Sequence, residues 1–342
     1  MAGIMEVDLA GRYAKLSEHG DPLERLEAVI DWKIFNSLIQ KAFRRERKSP
    51  AGRKPYNRLM MFKVLVLQAL YNLADGQTEY QIRDRLSFIR FLKLELTDDV
   101  PDEKTIWSYR EVLSHGGVLE KLFDRFNNYL EKRGYGASLG SIIDASIVEV
   151  PKQRNSRDVN KRIKNGDVSD CITRNKNREW QKDIHARWTM KNGKTYYGYK
   201  DHITVDVKHK LIRKFAVTSA STPDIKCFEE LLDKDNDYNR TWADSAYYSE
   251  RNEKLLKERD MVSKIIHRCQ SHYPEGSNQD RENKRRAKIR KRVEHVFGFM
   301  ENSMNRMFIR TIGIARAKTK ICLMNLVYNF CRFEQLTRLG VA

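Results

Sequence analysis

The sequence is short of cysteine. Its 342 residues hold five, at Cys171, Cys227, Cys269, Cys322 and Cys331. The number is odd and none stands in a Cys-x-x-Cys pair, which excludes a disulfide scaffold and a zinc ribbon. Long charge-free runs are also missing. The longest, Val64–Ala74 and Ile321–Cys331, are eleven residues each, against the roughly 20 that a bilayer-spanning helix needs. Seventeen glycines and seven prolines are too few for a collagen-like chain. The opening stretch MAGIMEVDLAGRYAK has no basic-then-apolar leader pattern. These absences predict a globular protein without a membrane span, in a reducing, cytoplasmic setting.

Charge is abundant, and one sign is in excess. Apolar residues make up 40% of the chain and charged residues 32%, enough for one large domain or two ordinary ones. The net charge is +19. It concentrates in three blocks: Lys41–Lys63 with nine bases to one acid, Lys152–Lys200 with fourteen to five, and Asp280–Arg292 with eight to two. Blocks of one sign separated by near-neutral sequence predict contact surfaces for a polyanion, nucleic acid first. Solvated helix faces are the bland alternative.

Residues 1–135 read as helical. Leu23–Leu38 has apolar residues near helical spacing, and Leu59–Leu73, with Met60, Met61 and Phe62, reads as a core helix ended by Asp75-Gly76. Thr78–Gln81 reads as a capping box, and Pro101-Asp102 opens a helix over Glu103–Leu113, followed by another over Val118–Lys132. Short helices about turns suit a helix-turn-helix variant whose reading helix starts at Glu103, with Lys104, Thr105, Ser108 and Arg110 toward DNA. An ordinary helical bundle fits the same pattern.

Near residue 140 the period changes. Ser141–Val150, Tyr196–Val207, Leu211–Thr218, Thr241–Ser245 and Met261–His267 read as strands. Helices are expected after Ser221-Thr222-Pro223-Asp224, over Ser249–Arg259, from about Asp280 to Asn305, and over Ala315–Leu336. The stretch 152–194 is basic, poor in apolar residues and too long for an ordinary loop, with Trp180, Ile184 and Trp188 as anchors of one helix at most. It reads as an insertion that orders on DNA or a partner subunit, or else as a solvated loop.

Two acids are out of place. Asp144 stands inside an apolar strand, and Asp244 ends another. A carboxylate buried in a strand costs several kcal/mol unless it is paired, and Mg²⁺ is a natural partner for such oxygens; a buried ion pair is the alternative. Glu294 lies on the long helix with Arg290 and Lys291 one turn earlier. Asp201 and Asp206 are weaker rivals, and His267, Cys269 and His272 lack a fourth metal ligand.

Five motifs, in order, resemble one family: IIDAS around Asp144, GYKDHITVD at 198–206, SASTPD, ADSAYYS around Asp244, and RVEHVFG around Glu294. The N-terminal stretch from DPLERLEAVIDW to DGQTEYQIRDRL is similar to the helical N-terminal region of the same proteins. They are the DDE transposases of the insertion sequence five group. The resemblance implies an α/β, ribonuclease-H-like catalytic domain over 136–342: a mixed five-stranded sheet flanked by helices. The all-helical domain over 1–135 would bind DNA. It also implies a catalytic and metal-binding triad of Asp144, Asp244 and Glu294 on two Mg²⁺ ions, with Mn²⁺ as a substitute. The double-stranded DNA of element ends and target would be the partner, joined by a homodimer or larger synaptic assembly in the bacterial nucleoid.

Two positions depart from the family signature on the helix of Arg290 and Glu294: its tyrosine is Ala287 here, and its closing lysine is Glu301. The expected DNA contacts are Arg290, Lys291 and Arg292 on that helix, Lys200 and His202 on the strand of GYKDH, Lys104 and Arg110 in the N-terminal domain, and Arg174, Lys176, Arg178 and Lys182 in the insertion. The expected activity is cleavage at the element's terminal inverted repeats and strand transfer to target DNA. A DNA-binding regulator without activity and a nuclease that cuts without joining are the competing readings.

Overall fold

A computed structural model describes residues 2–44, 54–137, 139–153, 155–165, 182–233, 239–267 and 277–341. The chain forms two compact units, one of Met1–Gly134 with Leu323–Ala342 and the other of Tyr135–Cys322. The division near residue 135 follows the change of period. The last twenty residues, however, belong with the helical unit, not with the sheet.

The helical unit contains α1 (Ala2–Glu18), α2 (Pro22–Val29), α3 (Asn36–Ala42), α4 (Arg58–Leu70), α5 (Asp75–Asp84), α6 (Leu86–Leu92), α7 (Glu103–Ser114) and α8 (Val118–Lys132). The expected single helix over Leu23–Leu38 breaks after Val29. Ile30 is extended, and the Asp31 carboxylate accepts from Lys33 N at 3.1 Å to start a new turn. All of Met60–Leu70 on α4 is buried, including Met60, Met61 and Phe62. Trp32, Phe35, Phe62, Phe91, Phe126 and Phe330 pack with ring centroids 4.7–6.4 Å apart. Phe330 comes from the C-terminal helix, Ile314–Arg338, which explains where the last residues belong.

The second unit runs β1 (Ser141–Glu149), α9 (Arg157–Asn165), β2 (Arg187–Lys191), β3 (Lys194–Asp206), β4 (Ile212–Ser219), α10 (Phe228–Leu231), β5 (Arg240–Ala243), α11 (Glu250–Glu258), β6 (Val262–Ile265), α12 (Asn278–Arg290) and α13 (Glu294–Asn302). Its sheet has six strands, one more than expected. The extra strand is β2, which pairs with the start of β3 inside the stretch read as a basic insertion that orders only on DNA or a partner subunit. The remaining order is β4-β3-β1-β5-β6, antiparallel from β4 to β1 and parallel from β1 to β6. Gly198 in β3 crosses β1 so closely that a Cβ would run into the Val148 carbonyl.

Strand alternation makes two buried layers. Ile143 on β1 packs with Phe228 and Leu231 of α10 and Leu256 of α11. Asp144, one residue on, points to the opposite face, where Arg290 ends α12. Helices therefore cover both faces, which is why β3 has no solvated side: His202, Ile203, Thr204, Val205 and Asp206 are all fully buried.

Candidate active site

The last residue pair joining β1 to β5 in parallel is Ile143 with Ala243. Asp144 and Asp244 each follow that pair by one residue. They therefore stand side by side at the carboxyl end of the parallel strands, where open α/β sheets form their crevices. Asp144 Oδ1 accepts from Ala145 N at 2.8 Å, and Asp244 Oδ1 from Ser245 N at 2.6 Å. Burial pushes the Asp144 pKa up and the charge of Asp244 adds to this, against the pull of Arg290, the Ala145 amide and Lys191.

Glu294 opens α13, one helical turn after Arg290, with its side chain 59% exposed. Arg290 links the two acids: Nη1 donates to Asp144 Oδ2 at 2.7 Å, and Nη2 lies 3.7 Å from Glu294 Oε1. Among the described residues, no three His, Cys, Asp or Glu side chains converge closely enough to hold a metal as they stand. The donor chemistry still fits a hard divalent cation. Asp144 and Asp244 offer only oxygen, and their neighbouring negative charges are what such a cation relieves.

Further along β1, from Ser146 onward, a groove of about 430 Å³ is lined by Ser146, Lys191, Tyr196, Phe297 and Glu301 among others. The sequence reading missed Lys191, counting it only as insertion charge; its position at the end of an undetected strand hid it. It also missed Tyr247, whose hydroxyl is buried with no hydrogen-bond partner among the described residues. Burial, then the charges of Asp224 and Asp144, push its pKa well up, so it stays neutral. Asp183, another missed acid, is 2% exposed but satisfied: it accepts from Tyr199 Oη at 2.7 Å and Gly313 N at 3.1 Å.

Several expected DNA contacts are placed elsewhere. Arg110 is 5% exposed and donates to both Asp75 oxygens, at 2.5 and 2.8 Å; it joins α7 to α5 and is turned inward, away from solvent. Lys200 Nζ is bound to Asp224 at 2.7 Å and to the Thr222 carbonyl at 2.8 Å. His202 is fully buried against Thr218. Both were expected on an open strand face, and the layer carrying α10 closes that face. Lys104, Thr105 and Ser108 sit at least partly exposed on α7, and Lys291 and Arg292 are exposed after α12, with Arg292 Nη1 also on the Val207 carbonyl at 3.1 Å. Lys182 is half-buried; Arg174, Lys176 and Arg178 lie outside the described residues, as do Cys269 and His272. Asp206 accepts from His209 N and holds the β3–β4 turn. Glu301, in the signature's lysine position, accepts from Met307 N at 2.9 Å and so braces the turn after α13.

A mixed sheet in this order with helices on both faces, following an all-helical region, defines a two-part protein with a ribonuclease-H-like core. The family model described as Transposase DDE domain matches residues 136–330, and Transposase domain (DUF772) matches residues 12–112. The chain belongs to the DDE transposase family, enzymes that act on DNA with divalent metal ions. No solved structure matches it. Among the described residues, no helix is long and apolar enough to cross a membrane.

Proposed function

We propose that this transposase, of the insertion sequence five group, binds the terminal inverted repeats of its element, cleaves there and joins the freed end to target DNA. Asp144, Asp244 and Glu294 form its catalytic triad. The observation that carries the reading is the Ile143–Ala243 register, because it sets two acids from residues a hundred apart in sequence side by side. Two Mg²⁺ ions, replaceable by Mn²⁺, would activate the incoming oxygen and stabilise the leaving one. Asp144, Asp244 and Glu294 supply the anionic oxygens that hold them. Lys291 and Arg292 hold the DNA backbone beside the site. Water attacks at the element end, and the resulting 3′-hydroxyl then attacks the target.

Recognition of the ends falls to the helical unit through the exposed face of α7, with Lys104 on it. The basic stretch containing Arg174, Lys176, Arg178 and Lys182 adds phosphate contacts that weaken with salt. Joining two ends calls for a dimer or larger assembly, working on DNA in the bacterial nucleoid. A pre-cut element end mixed with target DNA and Mg²⁺ tests the activity. We expect covalent joining of end to target; a mobility shift alone would leave a DNA binder, and nicking alone a nuclease.

A further inference from the structure

We infer that Arg290 couples DNA binding to metal loading, by occupying the Asp144 oxygen that a metal needs until a phosphate draws it away. The inference rests on the proposed role of Asp144 as a metal ligand. Both oxygens of Asp144 are engaged. Oδ1 takes the amide of the next residue, Ala145, at 2.8 Å. Oδ2 takes Arg290 Nη1 at 2.7 Å. The Arg290 bond sets a cation on Oδ2 and between Asp144 and Glu294, so a metal that draws on both acids must first displace that guanidinium.

The arginine is poised to leave. Nη2 is a loose 3.7 Å from Glu294, and Nε is buried with no hydrogen-bond partner among the described residues. Its guanidinium therefore makes one short bond to Asp144 and leaves donor capacity unspent, although a phosphate could take two bonds in parallel. Arg290 is the last residue of α12, and the exposed Lys291 and Arg292 follow it directly. A DNA backbone drawn to those two cations would present its phosphate within reach of the same turn. Turning Arg290 outward then frees Asp144 and removes the cation that stands between Asp144 and Glu294.

Linkage makes the effect reciprocal: whatever factor DNA adds to metal affinity, metal adds to DNA affinity. The arrangement would keep the phosphoryl-transfer site unloaded away from DNA.

The test titrates full-length protein with Mn²⁺, reading free metal by electron paramagnetic resonance, with and without a linear DNA duplex. In the wild type, DNA should tighten Mn²⁺ binding by about tenfold. Arg290→Gln should bind Mn²⁺ that tightly without DNA, and the duplex should add nothing. Arg290→Lys keeps the charge and should retain part of the coupling, with circular dichroism melts confirming that both variants fold. Asp144→Asn should abolish this Mn²⁺ binding in the wild-type and Arg290→Gln backgrounds alike. If Asp144→Asn abolishes binding but Arg290→Gln leaves the DNA-free affinity unchanged, the coupling is overturned while the site stands. If Asp144→Asn changes nothing, Asp144 is no metal ligand and both fall.

Discussion

His202 shows what a single buried side chain contributes and how sequence can mislead about it. Alternation along β3 puts it opposite the apolar Ile203 and Val205, and a strand read in isolation would turn that side to solvent. The second helical layer removes the solvent. The ring is fully buried, with Nε2 at 2.8 Å from the Thr218 hydroxyl. The Asp224 carboxylate lies 4.0 Å from Nδ1, and Lys200 is paired to that same carboxylate. Burial pushes the His202 pKa from its ordinary 6.5 down to about 4, with Asp224 partly opposing and Lys200 assisting. The folded state therefore favours the neutral ring. Its contribution to stability is complete above about pH 6.5 and is lost as pH falls toward about 4. Urea midpoints measured across that window should fall less steeply in His202→Gln than in the wild type. Parallel slopes would mean that His202 is not held neutral.

Elements divide into those that could be read from sequence and those that could not. The strands β1, β3, β4, β5 and β6 were legible because β-branched residues and turn signals bound them. Asp144 and Asp244 were legible for the same reason, as acids in apolar company. In the second unit two elements were missed, α9 and β2. On α9 only Ile163 is buried, and β2 leaves Trp188 and Met190 exposed, so neither has an apolar pattern to betray it; each is ordered by what it meets in space. Arg110 was misread although a signal existed. Ile106, Tyr109, Arg110 and Leu113 are the buried residues of α7, a helical stripe on which Arg110 faces inward to Asp75. Only the Glu294 contact of Arg290 is local; its bond to Asp144 and the bonds of Lys200 to Asp224 and Thr222 reach distant strands and turns, and no local spacing announces them.

The C-terminal helix is the element with the strongest consequence. Leu326, Phe330 and Phe333 are at most 2% exposed, and Phe330 packs edge-on to Phe126 and Trp32. Loss of each such side chain costs about 2–5 kcal/mol, against a total of about 5–15 kcal/mol for a domain. A fragment ending at Gly134, the natural cut from sequence alone, should therefore show no cooperative thermal transition by circular dichroism. Fusing residues 314–342 back to it should restore one. A cooperative melt of the shorter fragment would show that the helix only decorates the unit.

For the whole molecule, the excess of basic charge and the two apposed acids belong to one account. In the proposed reading, the exposed cations after α12 would gather a polyanion beside carboxylates that by themselves repel it. The fold brings Asp144 and Asp244 together through β1 and β5 and sets Glu294 one turn beyond Arg290, so the proposed triad draws on three separated stretches of chain. The most direct test is joining of a pre-cut element end to target DNA in Mg²⁺ by Asp144→Asn, Asp244→Asn and Glu294→Gln, each compared with wild type. Each change removes an anionic oxygen while nearly keeping its shape. All three variants should lose joining and cleavage while binding the ends, measured without divalent metal, almost as the wild type does; near-wild-type joining by any one of them would contradict its place in the triad.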